Sequence, residues 1–106
     1  KKKPVRAAQA FIEKHFHEAL TLETVANEVN LNPVYFSNIF KKETNENFVD
    51  YLHKCRIEAA KEMLRKEDTP IVNIASKVGY YDAKYFSKMF RKYVGIKPSD
   101  YRKIYG

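Results

Sequence analysis

A chain of 106 residues is long enough for one compact domain or two very small ones, and its 44% apolar content, with seven Phe and eight Tyr, supplies a core without metal or disulfide staples. The single cysteine, Cys55, excludes an internal disulfide framework and a multi-cysteine zinc site, and no run of about 18 apolar residues is present to span a membrane. The net charge of +7 is divided unevenly, with 7 basic and 7 acidic groups in residues 1–53 but 13 and 6 in residues 54–106, which points to a polyanionic partner for the second half.

Every long segment reads as helix. Residues 5–16 carry Ala8, Phe11, Ile12 and Phe16 at helical spacing. Thr21 is placed to cap a short helix holding Leu22, Val25, Ala26 and Val29. Asn32-Pro33 restarts the chain with a capping side chain followed by proline at the first helical position, and Phe36, Ile39 and Phe40 follow. Asn47 opens a longer helix over about residues 48–66, through Leu52, Ala59, Ala60, Met63 and Leu64, with Asp50 in its first turn. Thr69-Pro70 reads as another cap followed by proline, leading Ile71, Ile74, Ala75 and Val78. Asp82 caps a helix with Phe86, Met89 and Phe90, and Pro98 starts a last short one with Tyr101. No segment alternates with the period of a strand, so the expected fold is all-α with seven helices.

The signals repeat. Ala26, Val29, Asn30 and Leu31 correspond to Ala75, Val78, Gly79 and Tyr80 at an offset of 49 residues. Tyr35-Phe36-Ser37 and Phe40-Lys41-Lys42 correspond to Tyr85-Phe86-Ser87 and Phe90-Arg91-Lys92 at an offset of 50, as do Asp50-Tyr51 and Asp100-Tyr101. The second copy therefore has one extra residue in its turn. Asn30 exchanges with Gly79 and Asn45 with Gly95, each just past a helix end, where a left-handed backbone admits Gly or Asn.

A short helix, a tight turn and a second helix make a helix-turn-helix unit, and in DNA-binding versions the second helix enters the major groove. In the first copy the face opposite Phe36, Ile39 and Phe40 is Val34, Ser37, Asn38 and Lys41; in the second copy it is Lys84, Ser87, Lys88 and Arg91. These are groups that hydrogen-bond base edges, pack on a thymine methyl or bind phosphate. A middle helix of about 28 Å compares with about 34 Å between successive major-groove faces, so two recognition helices could sit near adjacent groove segments, with bending of the DNA closing the difference.

The chain resembles the DNA-binding domain of AraC/XylS-type transcription regulators over about residues 5–105. The resemblance is carried by Leu22-Glu23-Thr24-Val25-Ala26, Asn32-Pro33-Val34-Tyr35-Phe36-Ser37, Phe40-Lys41-Lys42-Glu43-Thr44, Arg56-Ile57-Glu58-Ala59-Ala60, Ile74-Ala75 to Val78-Gly79-Tyr80, and Tyr85-Phe86-Ser87-Lys88-Met89-Phe90 through Gly95-Ile96-Lys97-Pro98-Ser99-Asp100-Tyr101-Arg102. Within that family it looks most like output domains of bacterial two-component response regulators. Asn45 stands where the family usually has glycine, which implies slight strain there. The resemblance implies two homeodomain-like helix-turn-helix subdomains, residues 5–46 and 68–106, joined by a linker helix over 47–67. It implies base contacts from Val34, Ser37, Asn38, Lys84, Ser87 and Lys88, and phosphate contacts from Asn32, Lys41, Tyr81 and Arg91. The implied partners are double-stranded DNA and RNA polymerase. The implied setting is the cytoplasm, at the nucleoid, with an N-terminal sensory or receiver domain outside this chain and no membrane contact from this segment. Beginning at Lys1 rather than Met, the chain is expected to be part of a longer protein and to be monomeric by itself.

Other constellations point away from catalysis. His15 and His17 are two residues apart and do not share a helical face, and His53 lies in another helix. Cys55 has no second cysteine, and Glu58 and Glu62 are flanked by Lys61 and Arg65 as on a solvated helix. No phosphate-cradling loop or nucleophile elbow is present, and neither a cofactor nor a metal is expected. Lys1 to Lys3 suit a backbone-contacting arm or the end of a linker. Two other readings fit a basic helical repeat: a protein-interaction module for an acidic partner or polymerase, and nonspecific nucleic-acid packaging.

Overall fold

Local chemistry sets the helix boundaries in the computed structural model, which describes residues 2–106. The seven helices are α1 (Lys3–His15), α2 (Leu22–Glu28), α3 (Pro33–Thr44), α4 (Phe48–Lys66), α5 (Ile71–Lys77), α6 (Ala83–Val94) and α7 (Pro98–Tyr105), and no strand occurs among the described residues. Thr21 and Thr24 form a reciprocal capping box at α2. Asn32 Oδ1 accepts from the amides of Val34 and Tyr35, Asn47 Oδ1 from Asp50, and Asp82 Oδ1 from Lys84. Each such cap supplies about 1 kcal/mol of helix stability. At α5 the expected cap is corrected by one residue. Pro70 itself occupies the cap position, and its carbonyl accepts from Asn73 and Ile74. The Thr69 hydroxyl is committed elsewhere, donating to Glu67 Oε1 at 2.8 Å.

The helix ends behave as the Gly/Asn exchanges require. Asn30, Asn45, Gly79 and Gly95 have φ of 59°, 64°, 109° and 98°. A methyl group added at Gly95 would meet nothing within 4 Å, so its cost is that of the backbone alone. Gly95→Ala is therefore expected to lower unfolding stability by about 1–2 kcal/mol, while Asn45→Gly raises it by a smaller amount. Urea unfolding midpoints of the two variants check both signs.

The chain forms two compact units, one up to His53 and one from Lys54, so the division falls within the α4 segment of the sequence. The charge asymmetry of the sequence is thus an asymmetry between the two units. In the first, Val5, Ala8 and Ile12 of α1 are buried, with Val25 and Ala26 of α2 and Phe36, Ile39 and Phe40 of α3. The rings of Phe36 and Phe40 lie 5.5 Å apart, tilted by 50°, and Phe40 meets Tyr51 edge-on at 5.4 Å. In the second, the buried set is Ile57, Ala60 and Leu64 of α4, Ile74, Ala75 and Val78 at α5, Phe86, Met89 and Phe90 of α6, and Tyr101 of α7. Phe86 lies 5.8 Å from Phe90, and Phe90 lies 5.5 Å edge-on from Tyr101.

The duplication reaches further than the turn and recognition helix. Every position from 32 to 49 has the same degree of burial as its counterpart from 82 to 99. The opening helices match as well, at an offset of 52: Val5, Ala7, Ala8 and Ile12 correspond to Ile57, Ala59, Ala60 and Leu64. Even a polar contact is duplicated with its polarity reversed. Tyr51 donates its hydroxyl proton to Glu13 at 2.5 Å, whereas Tyr101 accepts from Arg65 at 3.0 Å, and Glu13 and Arg65 are counterparts at the same offset.

Candidate nucleic-acid interface

In each unit a short helix, a turn and a longer helix present one polar face outward. On α3, Val34 is 69% exposed, and Asn38 and Lys41 are exposed, while Phe36, Ile39 and Phe40 point into the core. On α6, Lys84, Lys88 and Arg91 are exposed and Phe86, Met89 and Phe90 are buried. Ser37 and Ser87 are half-buried rather than fully outward. Each directly follows a buried phenylalanine and so lies on the shoulder of its helix, between the buried and the exposed face. The structure thus brings Val34, Asn38 and Lys41 onto one outward face and Lys84, Lys88 and Arg91 onto another, with a serine at the edge of each.

The caps differ in charge. Asn32 uses its carbonyl oxygen to cap α3, leaving its amide hydrogens as the group that can donate to a phosphate. Asp82 stands in the same place on α6 and sets a carboxylate against the first-turn amides. The N-terminus of α6 is therefore less inviting to an anion than that of α3, and cationic side chains carry the positive potential of the second unit. Tyr81, the extra residue of the second turn, is fully exposed.

Two further cations join this surface. Ser87, Lys88, Arg91 and Lys92 of α6 line an open groove of about 550 Å³ together with Lys97 and Ser99 at the start of α7. Among the described residues, Lys84, Lys88, Arg91 and Lys97 form no ion pair. The Lys92 ammonium lies 5.5 Å from the Tyr93 ring centre. Helical spacing marks Pro98 as a helix start but does not place Lys92 and Lys97 beside the outward face of α6. The signal was the run of basic residues on both sides of Gly95, which the helix end folds together.

The remaining polar groups are local. His15 Nδ1 lies 2.7 Å from Glu18 Oε2 and His17 Nε2 3.7 Å from the same oxygen, and the contact with His15 holds the Glu18 carboxyl below its ordinary pKa. On α4, Lys61 pairs with Glu58 at 3.1 Å and Lys66 with Glu62 at 3.4 Å, while Arg65 turns to Tyr101. Among the described residues no cluster of His, Cys, Asp and Glu is arranged to hold a metal ion, and no helix is long and apolar enough to cross a membrane. Of the basic run at the start, Lys1 lies outside the described residues, the Lys2 amide donates to Glu43 Oε1, and Lys3 opens α1.

A family model described as a helix-turn-helix domain matches residues 25–104. The C-terminal domain of AraT, a response regulator from Geobacillus stearothermophilus, is 42% identical, with a TM-score of 0.95 over 97% of this chain and 86% of that one. YijO of Escherichia coli K12, described as an uncharacterized HTH-type transcriptional regulator, is 35% identical over 93% of this chain. The chain spans 35% of that regulator's length. The DNA-binding domain of AdpA, solved with a target DNA, shares the fold at 24% identity, with a TM-score of 0.92 over 98% of this chain and 94% of that one.

Proposed function

Because the chain belongs to the AraC-type helix-turn-helix family of transcription regulators, we propose that it binds double-stranded DNA sequence-specifically and regulates bacterial transcription by placing α3 and α6 in major-groove segments. The observation that carries this reading is the outward face of α6. Lys84, Lys88 and Arg91 stand exposed and without ion pairs on the second helix of a helix-turn-helix. Arg91, in the last turn of α6, also favours the helix dipole, but Lys84 and Lys88 add like charge that does not stabilise the helix, and phosphate and guanine offer all three a partner.

In this reading residues 5–46 and 68–106 are the two DNA-engaging subdomains and 47–67 the helix joining them. Val34, Ser37 and Asn38 read one block of bases, with Val34 packing on a thymine methyl. Lys84, Ser87 and Lys88 read the other. Asn32, Lys41, Tyr81 and Arg91 hold phosphates and fix the register. The chain acts by binding rather than by catalysis. We also assign the longer protein an N-terminal sensory or receiver domain, in keeping with AraT being a response regulator. RNA polymerase is the second partner we assign, and Val72 and Ile104, exposed outside the recognition faces, offer apolar surface for it. The chain alone is taken as monomeric and nucleoid-associated.

Duplex binding measured by fluorescence anisotropy across a salt series tests the reading. With Lys41, Lys84, Lys88 and Arg91 on phosphates or bases, the logarithm of the binding constant is expected to fall with the logarithm of salt at a slope of roughly −3 to −4. A domain built to bind an acidic protein would hold duplex DNA weakly and with no preference among sequences.

A further inference from the structure

The two turns are not built alike. In the first unit Leu31 N donates to Ala26 O at 3.0 Å, and Asn32 caps α3 at once. In the second, Tyr80 N makes the matching bond to Ala75 O at 2.9 Å, but Tyr81 intervenes before the cap Asp82. Tyr81 is fully exposed. An added residue with no side-chain burial lengthens the link between the end of α5 and the start of α6, and a longer link defines the direction of the next helix less well.

The second unit holds a buried cation at a position where the first has proline. Arg56 of α4 is only 9% exposed, and its guanidinium carbon lies 5.4 Å from the centre of the Tyr80 ring. At the offset that aligns α1 with α4, the residue matching Arg56 is Pro4. The Tyr80 ring, itself 3% exposed, lies 5.5 Å from Phe86 and meets Tyr85 edge-on at 5.9 Å, both in the first turns of α6. Burial disfavours the Arg56 charge and raises the Tyr80 phenol well above its ordinary pKa. Tyr80 therefore remains a neutral ring under a cation, and the cation is held at a cost in hydration that an apolar side chain such as Leu would avoid.

We propose that Arg56 and Tyr80 are a positioning pair that aims α6 across the lengthened turn, and so set the sequence discrimination of the second unit without touching DNA. The proposal rests on the DNA-binding reading above. Arg56 pins the ring, and the ring braces Phe86 and Tyr85 against the end of α5. This restores the definition that the Tyr81 insertion removes. The first unit, with no insertion, needs only Leu31 at the matching position.

The test compares Arg56→Met, Tyr80→Leu and Tyr80→Phe with the unaltered chain on three duplexes: a selected site, the same site with the block read by α6 scrambled, and the same site with the block read by α3 scrambled. Arg56→Met and Tyr80→Leu are expected to reduce discrimination for the α6 block about fivefold, leave discrimination for the α3 block unchanged, and leave the salt slope unchanged because neither removes a phosphate-facing cation. Tyr80→Phe keeps the ring face and is expected to discriminate as the unaltered chain does. In the unbound domain, amide chemical shifts of residues 83–88 are expected to move in the first two variants and to stay near their original values in Tyr80→Phe. Equal loss for both blocks, or unchanged discrimination in Arg56→Met and Tyr80→Leu, would overturn the proposal. So would loss of the folded state in both, since the pair would then carry the fold rather than the direction of α6. Failure of the unaltered chain to discriminate any block would instead count against the DNA-binding reading itself.

Discussion

Replacing Lys84, Ser87 and Lys88 together by alanine is expected to flatten the salt dependence of DNA binding by roughly two units of slope, whereas replacing Val34, Ser37 and Asn38 leaves the slope unchanged. The reason lies in the charges: the first triple removes two exposed cations and the second removes none. Both triples are expected to reduce sequence discrimination, because each removes groups that the proposed function assigns to base edges. The two effects are thus separable, with electrostatic anchoring concentrated on α6 and neutral readout on α3. Anisotropy titrations at several salt concentrations, on one selected site and one scrambled site, measure both. A larger change of slope from the α3 triple would reverse this division of labour.

Phe90→Ala is the substitution expected to cost most stability, about 3–5 kcal/mol. Phe90 is fully buried and touches both Phe86 and Tyr101, so truncation leaves a cavity where α6 meets α7. A loss of that size is a large fraction of what a domain of this length has in total. Phe40→Ala should behave alike, since Phe40 is equally buried and holds the same relation to Phe36 and Tyr51. Urea unfolding followed by circular dichroism gives both values, and a loss under about 1 kcal/mol in either would mean that the aromatic ladder is not the core of its unit.

The fold was readable because its signals are local. Thr21, Asn32, Asn47 and Asp82 all cap the helices they precede. The Asn30/Gly79 and Asn45/Gly95 exchanges mark left-handed positions, where few other residues fit. Thr69 misled because a hydroxyl before proline has another use available two residues back, on Glu67. The match of α1 with α4 was hidden by its different offset and by an exchange of Glu13 for Arg65, which reverses a charge while keeping the contact with tyrosine.

The outward faces of α3 and α6 followed from helical spacing, which says which side of a helix a residue occupies but not how deep its neighbours stand. That is why Ser37 and Ser87 were read as outward and are half-buried. The groove that adds Lys92 and Lys97 needs α7 folded beside α6, a tertiary fact. Arg56 was the least legible residue of all. In sequence it opens one of the segments that carry the resemblance but has no stated role, and only the fold places it against the ring of a tyrosine 24 positions further on.

The central claim is that one chain reads two blocks of DNA. Selection of bound duplexes from a randomised pool, at about 150 mM salt to trim nonspecific attraction, addresses it most directly. The account predicts an enriched motif with two conserved blocks whose centres lie about 10 base pairs apart, with the α3 triple erasing one block and the α6 triple the other. Enrichment of no motif by a folded domain, or of a single block lost in both triples, would contradict it.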